Sequence, residues 1–460
     1  MNQPRYCPAL FISAPASGQG KTTVTAALAR YHADQGRNVR VFKIGPDYLD
    51  PLILQHASGT EVEPLDLWMM GESGCREALY NAALHADLIL IEGAMGLFDG
   101  TPSSADVAIR FGIPVVAVIN VKGMAQSVVA LAYGLAHFCD DIDMAGVVAN
   151  QTGSPRHTAL IEEALSDQIP MLAALPREDA LALPARHLGL IPPDEAHSLD
   201  AQIGAASAVL ENSPLSALPK TVAFYASEAA APLPLLLEGT CIGVACDAAF
   251  SFIYPANIRL LEKMGATLRY FSPLKDTQLP PADALWLPGG YPELHLEALT
   301  ANTAIAAEIQ RFHHSGKTIL AECGGMLYLL ESLTSLEGKK YPMLKLLQGY
   351  GEMHTRSGCQ GMQSAPLPEG VIRGHAHHRS RSYAMPKPIA HGQRPSHPAP
   401  GEEIYRERNV TASYIHLFFP SNPYAVARLF GHVDESFTKS FSVPKTASIM
   451  ANSSRENCDD

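Results

Sequence analysis

The chain has 460 residues and a formal net charge of -12, with 47% hydrophobic and 17% charged residues. That length accommodates two or three domains, and the apolar fraction excludes wholesale disorder. The acidic balance argues against a general nucleic-acid binder, which needs a basic patch.

Residues 1–8 lack the basic region and apolar run of a secretion signal. No stretch of about 20 apolar residues runs unbroken, so no membrane span is expected. Eight cysteines are scattered without paired spacing, which fits reduced thiols and a cytoplasmic location.

In the first half, short Val/Ile/Leu-rich runs alternate with helix-length segments. The strand candidates are Ala9–Ser13, Val39–Ile44, Asp87–Glu92, Val115–Asn120 and Gly146–Asn150. This rhythm predicts a parallel sheet covered on both faces. Between the first strand and a helix beginning near Thr22 stands Ser13-Ala-Pro-Ala-Ser-Gly-Gln-Gly-Lys-Thr-Thr23. Gly18 and Gly20 free the backbone so that the N–H groups around Gln19 can face phosphate oxygens. Lys21 supplies a cation, and Thr22, followed by Thr23, offers a hydroxyl to magnesium. Pro15 stands where the strict phosphate-loop pattern has glycine, so only the second half of the motif matches.

Two acidic segments follow at strand ends: Lys43-Ile-Gly-Pro-Asp-Tyr-Leu-Asp-Pro51 and Glu92-Gly-Ala-Met-Gly-Leu-Phe-Asp-Gly100. Parallel sheets bind ligands along that edge. Carboxylates there hold magnesium beside phosphates, which makes Asp47, Glu92 and Asp99 candidate site residues.

Residues 213–239, rich in Pro, Ala and Leu, read as a linker between domains spanning 1–212 and 240–435. The rhythm restarts with strands at Cys241–Ala245, Thr267–Phe271, Ala284–Pro288 and Thr318–Ala321. Pro288-Gly289-Gly290 follows the third of these, and its glycines can aim an N–H at a developing oxyanion together with Gly324. Cys323-Gly324-Gly325 follows the fourth and precedes a helix read over Met326–Leu333. A cysteine on such a strand-to-helix turn is presented as a nucleophile, its pKa expected to be lowered by the helix N-terminus. His416, in the apolar run Ser413-Tyr-Ile-His-Leu-Phe-Phe-Pro-Ser421, is the candidate base. Lys387–Glu403 reads as a surface excursion, and 436–460 as a frayed tail.

Taken in order, the phosphate loop, GPDYLDP, EGAMGLFDG, PGGYPELH, AECGGMLYL and SYIHLFFPSNP resemble the cobyrinic acid and hydrogenobyrinic acid a,c-diamide synthases, from about residue 8 to 430. The resemblance implies an α/β chain of two doubly wound domains. One is a dethiobiotin-synthetase-like phosphate-loop domain, the other a class I glutamine amidotransferase domain of flavodoxin-like fold. It implies ATP and glutamine as co-substrates, Mg2+, and a corrinoid whose a and c carboxylates are amidated in turn through acyl phosphates. It assigns Cys323 as nucleophile and His416 as its activator. Thr22, Asp47 and Glu92 fall at positions for the metal, and Tyr48, Leu49 and Asp99 at positions for substrate.

The chain departs from the resembled pattern twice. Phe418 stands where many such amidotransferases carry a glutamate two residues after the histidine. Gly374-His-Ala-His-His-Arg-Ser380 replaces Gly-His-Glu-Phe-His-Tyr-Ser. Three histidines in four residues are not read as a metal site, since tetrahedral sites gather ligands from separated segments.

Rival readings are cobyric acid synthase, nickel sirohydrochlorin a,c-diamide synthase, and a partition-type ATPase with an inactive amidotransferase-like module. No nucleic acid or membrane partner is expected. The metal state of the corrinoid and the oligomeric state are open, a homodimer being one option.

Overall fold

The computed structural model describes residues 3–165, 169–181, 183, 193–227, 232–356, 358–395 and 397–431. The expected tail 436–460 lies outside them. The first sheet contains β1 (Arg5–Ser13), β2 (Val39–Lys43), β3 (Glu63–Pro64), β4 (Leu88–Glu92), β5 (Val115–Asn120), β6 (Met144–Thr152), β7 (Met171–Pro176) and β8 (Thr221–Phe224). Its order is β3-β2-β4-β1-β5-β6-β7, all parallel. β1, β4 and β5 are buried on both faces, as their unbroken apolar runs require. β4 lies on one side of β1 and β5 on the other, so the loops after β1 and β4 open onto one crevice at the carboxyl edge.

Part of the expected linker is not a linker. Thr221–Phe224 pairs antiparallel with Arg5–Pro8 of β1, because Val222 and Phe224 alternate inward with Thr221 and Ala223.

The second sheet runs β10 (Thr267–Phe271), β9 (Cys241–Ala245), β11 (Ala284–Leu287), β12 (Thr318–Glu322), then Val410–Ser413, Glu403–Glu407 and Ala390–His391. The first five strands are parallel and the last two antiparallel additions. The strands at Glu403–Glu407 and Ala390–His391 show that residues 387–403 are partly built into this sheet rather than a surface excursion. A separate antiparallel sheet joins Cys359–Leu367, Gly370–His378 and Ile415–Leu417. The helix read over Met326–Leu333 is shorter: it runs Gly324–Leu329, and Ser332–Thr334 is a strand.

The halves meet through a small apolar cluster of Met69, Tyr254 and Phe418, with Tyr48, Trp68 and Met362 against it. Phe418, the residue standing where a glutamate was expected, is buried here edge-on to Tyr254 at 5.5 Å. Polar contacts reinforce the seam: Arg373 Nη1 donates to Trp68 O at 2.6 Å, and Arg259 pairs with Glu63 at 2.9 Å and with Glu61. Among the described residues no helix is long and apolar enough to cross a membrane, and none of the seven cysteines is bridged.

Candidate active site

The phosphate loop is built by left-handed glycines. Gly18 and Gly20 have φ of 76° and 98°, and Gly20 starts helix α1 (Lys21–Asp34). A Cβ on Gly20 would lie 2.1 Å from Asn150 Nδ2. That same amide nitrogen donates to Gln19 O at 2.8 Å, while Asn120 N donates to Gln19 Oε1 at 2.8 Å. The ends of β5 and β6 therefore clamp the loop from below.

Lys21 Nζ donates to Ala16 O at 3.2 Å and to Met95 O. Thr22 Oγ1 donates to Glu92 Oε1 at 2.9 Å. Buried Lys43, the last residue of β2, reaches Glu92 at 2.6 Å and Asp50 at 2.9 Å. Burial works to lower the Lys43 pKa, but Glu92, Asp50 and Asp47 more than offset it, so the lysine stays cationic. Burial raises Glu92, with Lys43 opposing. Burial, then Asp50, raises Asp47. Asp47 Oδ1 accepts from the N–H groups of Leu49 at 2.9 Å and Asp50 at 3.2 Å. Asp99 Oδ2 accepts from Gly96 N at 2.8 Å. Glu92 Oε2 is buried with no hydrogen-bond partner. With the Thr22 hydroxyl beside it, this carboxylate oxygen fits a divalent cation.

The cysteine elbow is equally specific. Cys323 has φ 46° and ψ -105°, a conformation rare for a non-glycine residue and typical of strained functional turns. Its N–H donates to Ser413 O at 2.8 Å. The neighbouring glycines are required by space. A Cβ on Gly324 would lie 3.0 Å from Gly290 N, one on Gly290 2.1 Å from Ala249 O, and one on Gly289 2.2 Å from His416 Cε1. Cys323-Gly324, Gly289-Gly290 and His416 therefore converge. Glu322, one residue before the cysteine, accepts from Leu417 N at 3.0 Å and Trp286 Nε1 at 3.2 Å. It ties the elbow to the histidine strand.

The expected lowering of the thiol pKa is overturned. Burial first, then Glu293, pushes Cys323 up, and the Gly324 N–H opposes without prevailing. The six-residue helix is too weak a donor to overcome desolvation. Burial likewise lifts Glu322 to about 8 and Glu293 to about 7. Burial, then His378 and His377, drops His416 to about 3. At neutral pH thiol and imidazole are both uncharged.

His416 is held by rings rather than by a carboxylate, and its Nδ1 has no hydrogen-bond partner. It sits opposite His375 in the antiparallel ladder, and the two rings stack at 4.9 Å and 15°. Tyr48 from the first half lies 5.4 Å from His416 and stacks on Phe252 at 4.8 Å and 2°.

A single cavity of about 1070 Å³ is walled by both halves. Gly18, Gly20, Lys21, Thr22, Thr23, Asp47 and Asp99 line one side, and Met362, His375 and His377 the other. Tyr48 and Leu49, expected to touch substrate, are not on this wall; Leu49 precedes helix α2 (Asp50–Ser58) and Tyr48 points into the ring cluster.

Several polar residues were not singled out from the sequence. Lys43 was a lone cation closing an apolar strand, a detectable signal. Asp50, Asn120, Asn150 and Glu322 also sit at strand or helix ends, but their partners are distant in the chain.

Residues 10–191 match the model of the CobQ/CobB/MinD/ParA nucleotide binding domain, and residues 241–424 that of the CobB/CobQ-like glutamine amidotransferase domain. A Stutzerimonas stutzeri protein named hydrogenobyrinate a,c-diamide synthase is 52% identical over 425 residues, covering 92% of this chain and 99% of that relative. A Pseudomonas aeruginosa protein of the same name is 52% identical over 429 residues, covering 93% and 98%. A Herminiimonas arsenicoxydans protein named cobyrinate a,c-diamide synthase is 46% identical over 424 residues, covering 92% and 96%.

Proposed function

We infer the activity of this chain from its kinship: it belongs to the cobyrinate/hydrogenobyrinate a,c-diamide synthase family. It is a glutamine-dependent, amide-forming ligase of cobalamin biosynthesis that uses ATP and glutamine. Its nitrogen acceptor is a corrinoid bearing free a and c carboxylates. The 52% identity with relatives named for hydrogenobyrinate favours the metal-free macrocycle. The first domain extends past Phe224, whose strand pairs with Arg5–Pro8, and the second spans about 240–435.

One observation supports the reading above the others: a cavity walled by both halves runs from the phosphate loop to His375, whose ring stacks on His416. Nitrogen released beside His416 therefore lies next to a residue of the wall that faces the phosphate loop. Gly18 through Thr23 hold the ATP phosphates by backbone N–H groups and the Lys21 ammonium. Thr22, Glu92 and Asp47 would hold a magnesium ion, which supplies charge compensation for the phosphates when bound. The corrinoid carboxylate attacks the γ-phosphorus, ADP leaves as the β,γ-bridging P–O bond breaks, and the resulting acyl phosphate has a leaving group far better than hydroxide. Asp99 lies on the wall that receives the macrocycle.

On the other side Cys323 Sγ attacks the glutamine amide carbon while neutral His416 accepts the thiol proton. Gly290 and Gly324 N–H groups stabilise the oxyanion. His416 returns a proton to the leaving nitrogen, ammonia departs, and water frees glutamate from the thioester. Ammonia then displaces phosphate to give the amide.

Incubation with Mg-ATP, glutamine and hydrogenobyrinate or cobyrinate, followed by product mass, tests this. Gain of two amides on either corrinoid is expected, and an unchanged mass on both overturns it.

A further inference from the structure

Ammonia made at Cys323 has to reach the acyl phosphate, and what stands between the two is narrow. His375 lines the cavity, and its ring stacks on His416 at 4.9 Å. It is shared between the cavity wall and the surroundings of His416. Tyr48 closes its flank, 5.6 Å from His375, 4.7 Å from Tyr254 and 5.4 Å from His416. The Tyr254 hydroxyl hydrogen-bonds His375 Nδ1 at 3.1 Å and fixes the ring edge-on.

Tyr48 does not belong to the amidotransferase half. It rides on the first-half loop whose neighbouring residues Asp47 and Asp50 face the cavity. A side chain sent across a domain seam to cover another domain's histidine is poorly explained as core filling alone. Its carrier loop points to coupling.

We propose that His375 and Tyr48 form the partition ammonia crosses from the cysteine pocket to the cavity, with Tyr48 as the leaf moved by ligands of its own loop. This rests on the glutamine-dependent ligase reading above. The partition's chemistry suits the cargo. Burial, with His416 and His377, holds His375 well below the usual histidine range, so it is neutral. Burial holds the Tyr254 phenol well above its ordinary value. Neither His375 nor Tyr254 gives a proton to ammonia at neutral pH, and ammonium would no longer be nucleophilic.

The experiment measures amide formed per glutamate released, with unlabelled glutamine and isotope-labelled ammonium in the medium. Wild type is expected to form one amide per glutamate and to exclude the label. In His375→Ala and Tyr48→Ala the ratio is expected to fall by about twofold or more, with labelled nitrogen entering the product. An unchanged ratio and excluded label in both overturn the partition, as does a parallel fall of both activities at constant ratio.

If an alanine variant loses glutamine hydrolysis altogether, Tyr48→Phe and His375→Gln are compared. They keep the bulk and are expected to retain the wild-type ratio; leakage in them equal to wide-open access would overturn the proposal. A wild type that forms amide from ammonium but never from glutamine would sink the glutamine-dependent reading itself, a different failure from leakage.

Discussion

The phosphate loop and the cysteine elbow share a plan: a buried parallel strand, a left-handed residue, then a helix. They treat charge in opposite ways. Around β2 and β4 the buried ammonium of Lys43 contacts Glu92 and Asp50 directly and opposes the burial that raises Glu92 and Asp47. Around β12 burial leads, helped by Glu293 at the thiol and by His378 and His377 at the imidazole, in favouring the neutral forms of thiol, carboxyl and imidazole. A polyanionic nucleotide needs fixed countercharge ready before it binds. An uncharged amide substrate needs a pocket in which charge appears only as the reaction proceeds. Each half of the chain is electrostatically matched to its own ligand.

The sharpest way to break this contrast is to remove the nucleophile. Cys323→Ala is expected to lower glutamine-dependent amidation by about a thousandfold or more while ammonium-dependent amidation continues. Parallel assays with the two nitrogen sources check it, and retained glutamine use would refute the assignment.

The next test concerns stability. Lys43→Met leaves buried carboxylates uncompensated and is expected to cost about 3–5 kcal/mol by denaturant unfolding. Glu322→Gln turns one of two accepting oxygens into an NH2 group, so that Leu417 N or Trp286 Nε1 faces a donor, and is expected to cost about 1–3 kcal/mol. Equal losses would erase the difference between the halves.

The smallest effect is a pH slope. His416 is held at about 3 against an ordinary 6.5. Between those values the unfolded chain binds more protons than the folded one, so stability rises with pH across that window. It is lost as pH falls from 6.5 towards 3. Denaturation midpoints at about pH 7.5 and about pH 5 should drop further for wild type than for His416→Asn. His375, held low in part by His416, is depressed less in the variant, which widens the difference in the same direction. Equal drops would remove the burial argument.

Much of this was legible in the chain because its signals are local. Gly18-Gln-Gly-Lys-Thr22 and Cys323-Gly-Gly325 each carry turn, glycines and reactive group within a few residues, and the parallel strands announce themselves by apolar runs. What the sequence hid is made by pairs distant in the chain. His375 meets His416 only through an antiparallel register, and Tyr48 meets Phe252 only once the halves dock. Phe418, which reads as a missing carboxylate, makes sense as a seam residue only against Tyr254. The thiol pKa was misjudged for a related reason: turn geometry is visible in sequence, whereas desolvation depends on everything packed around it.

β8 bears on any effort to dissect the molecule. Because Thr221–Phe224 returns to zip along Arg5–Pro8, the true frontier of the first lobe lies beyond Phe224. A fragment truncated at residue 212 would bare the backbone donors and acceptors of the opening strand, a ready template for sticky edge-to-edge self-association. Excised lobes should carry that returning strand with them.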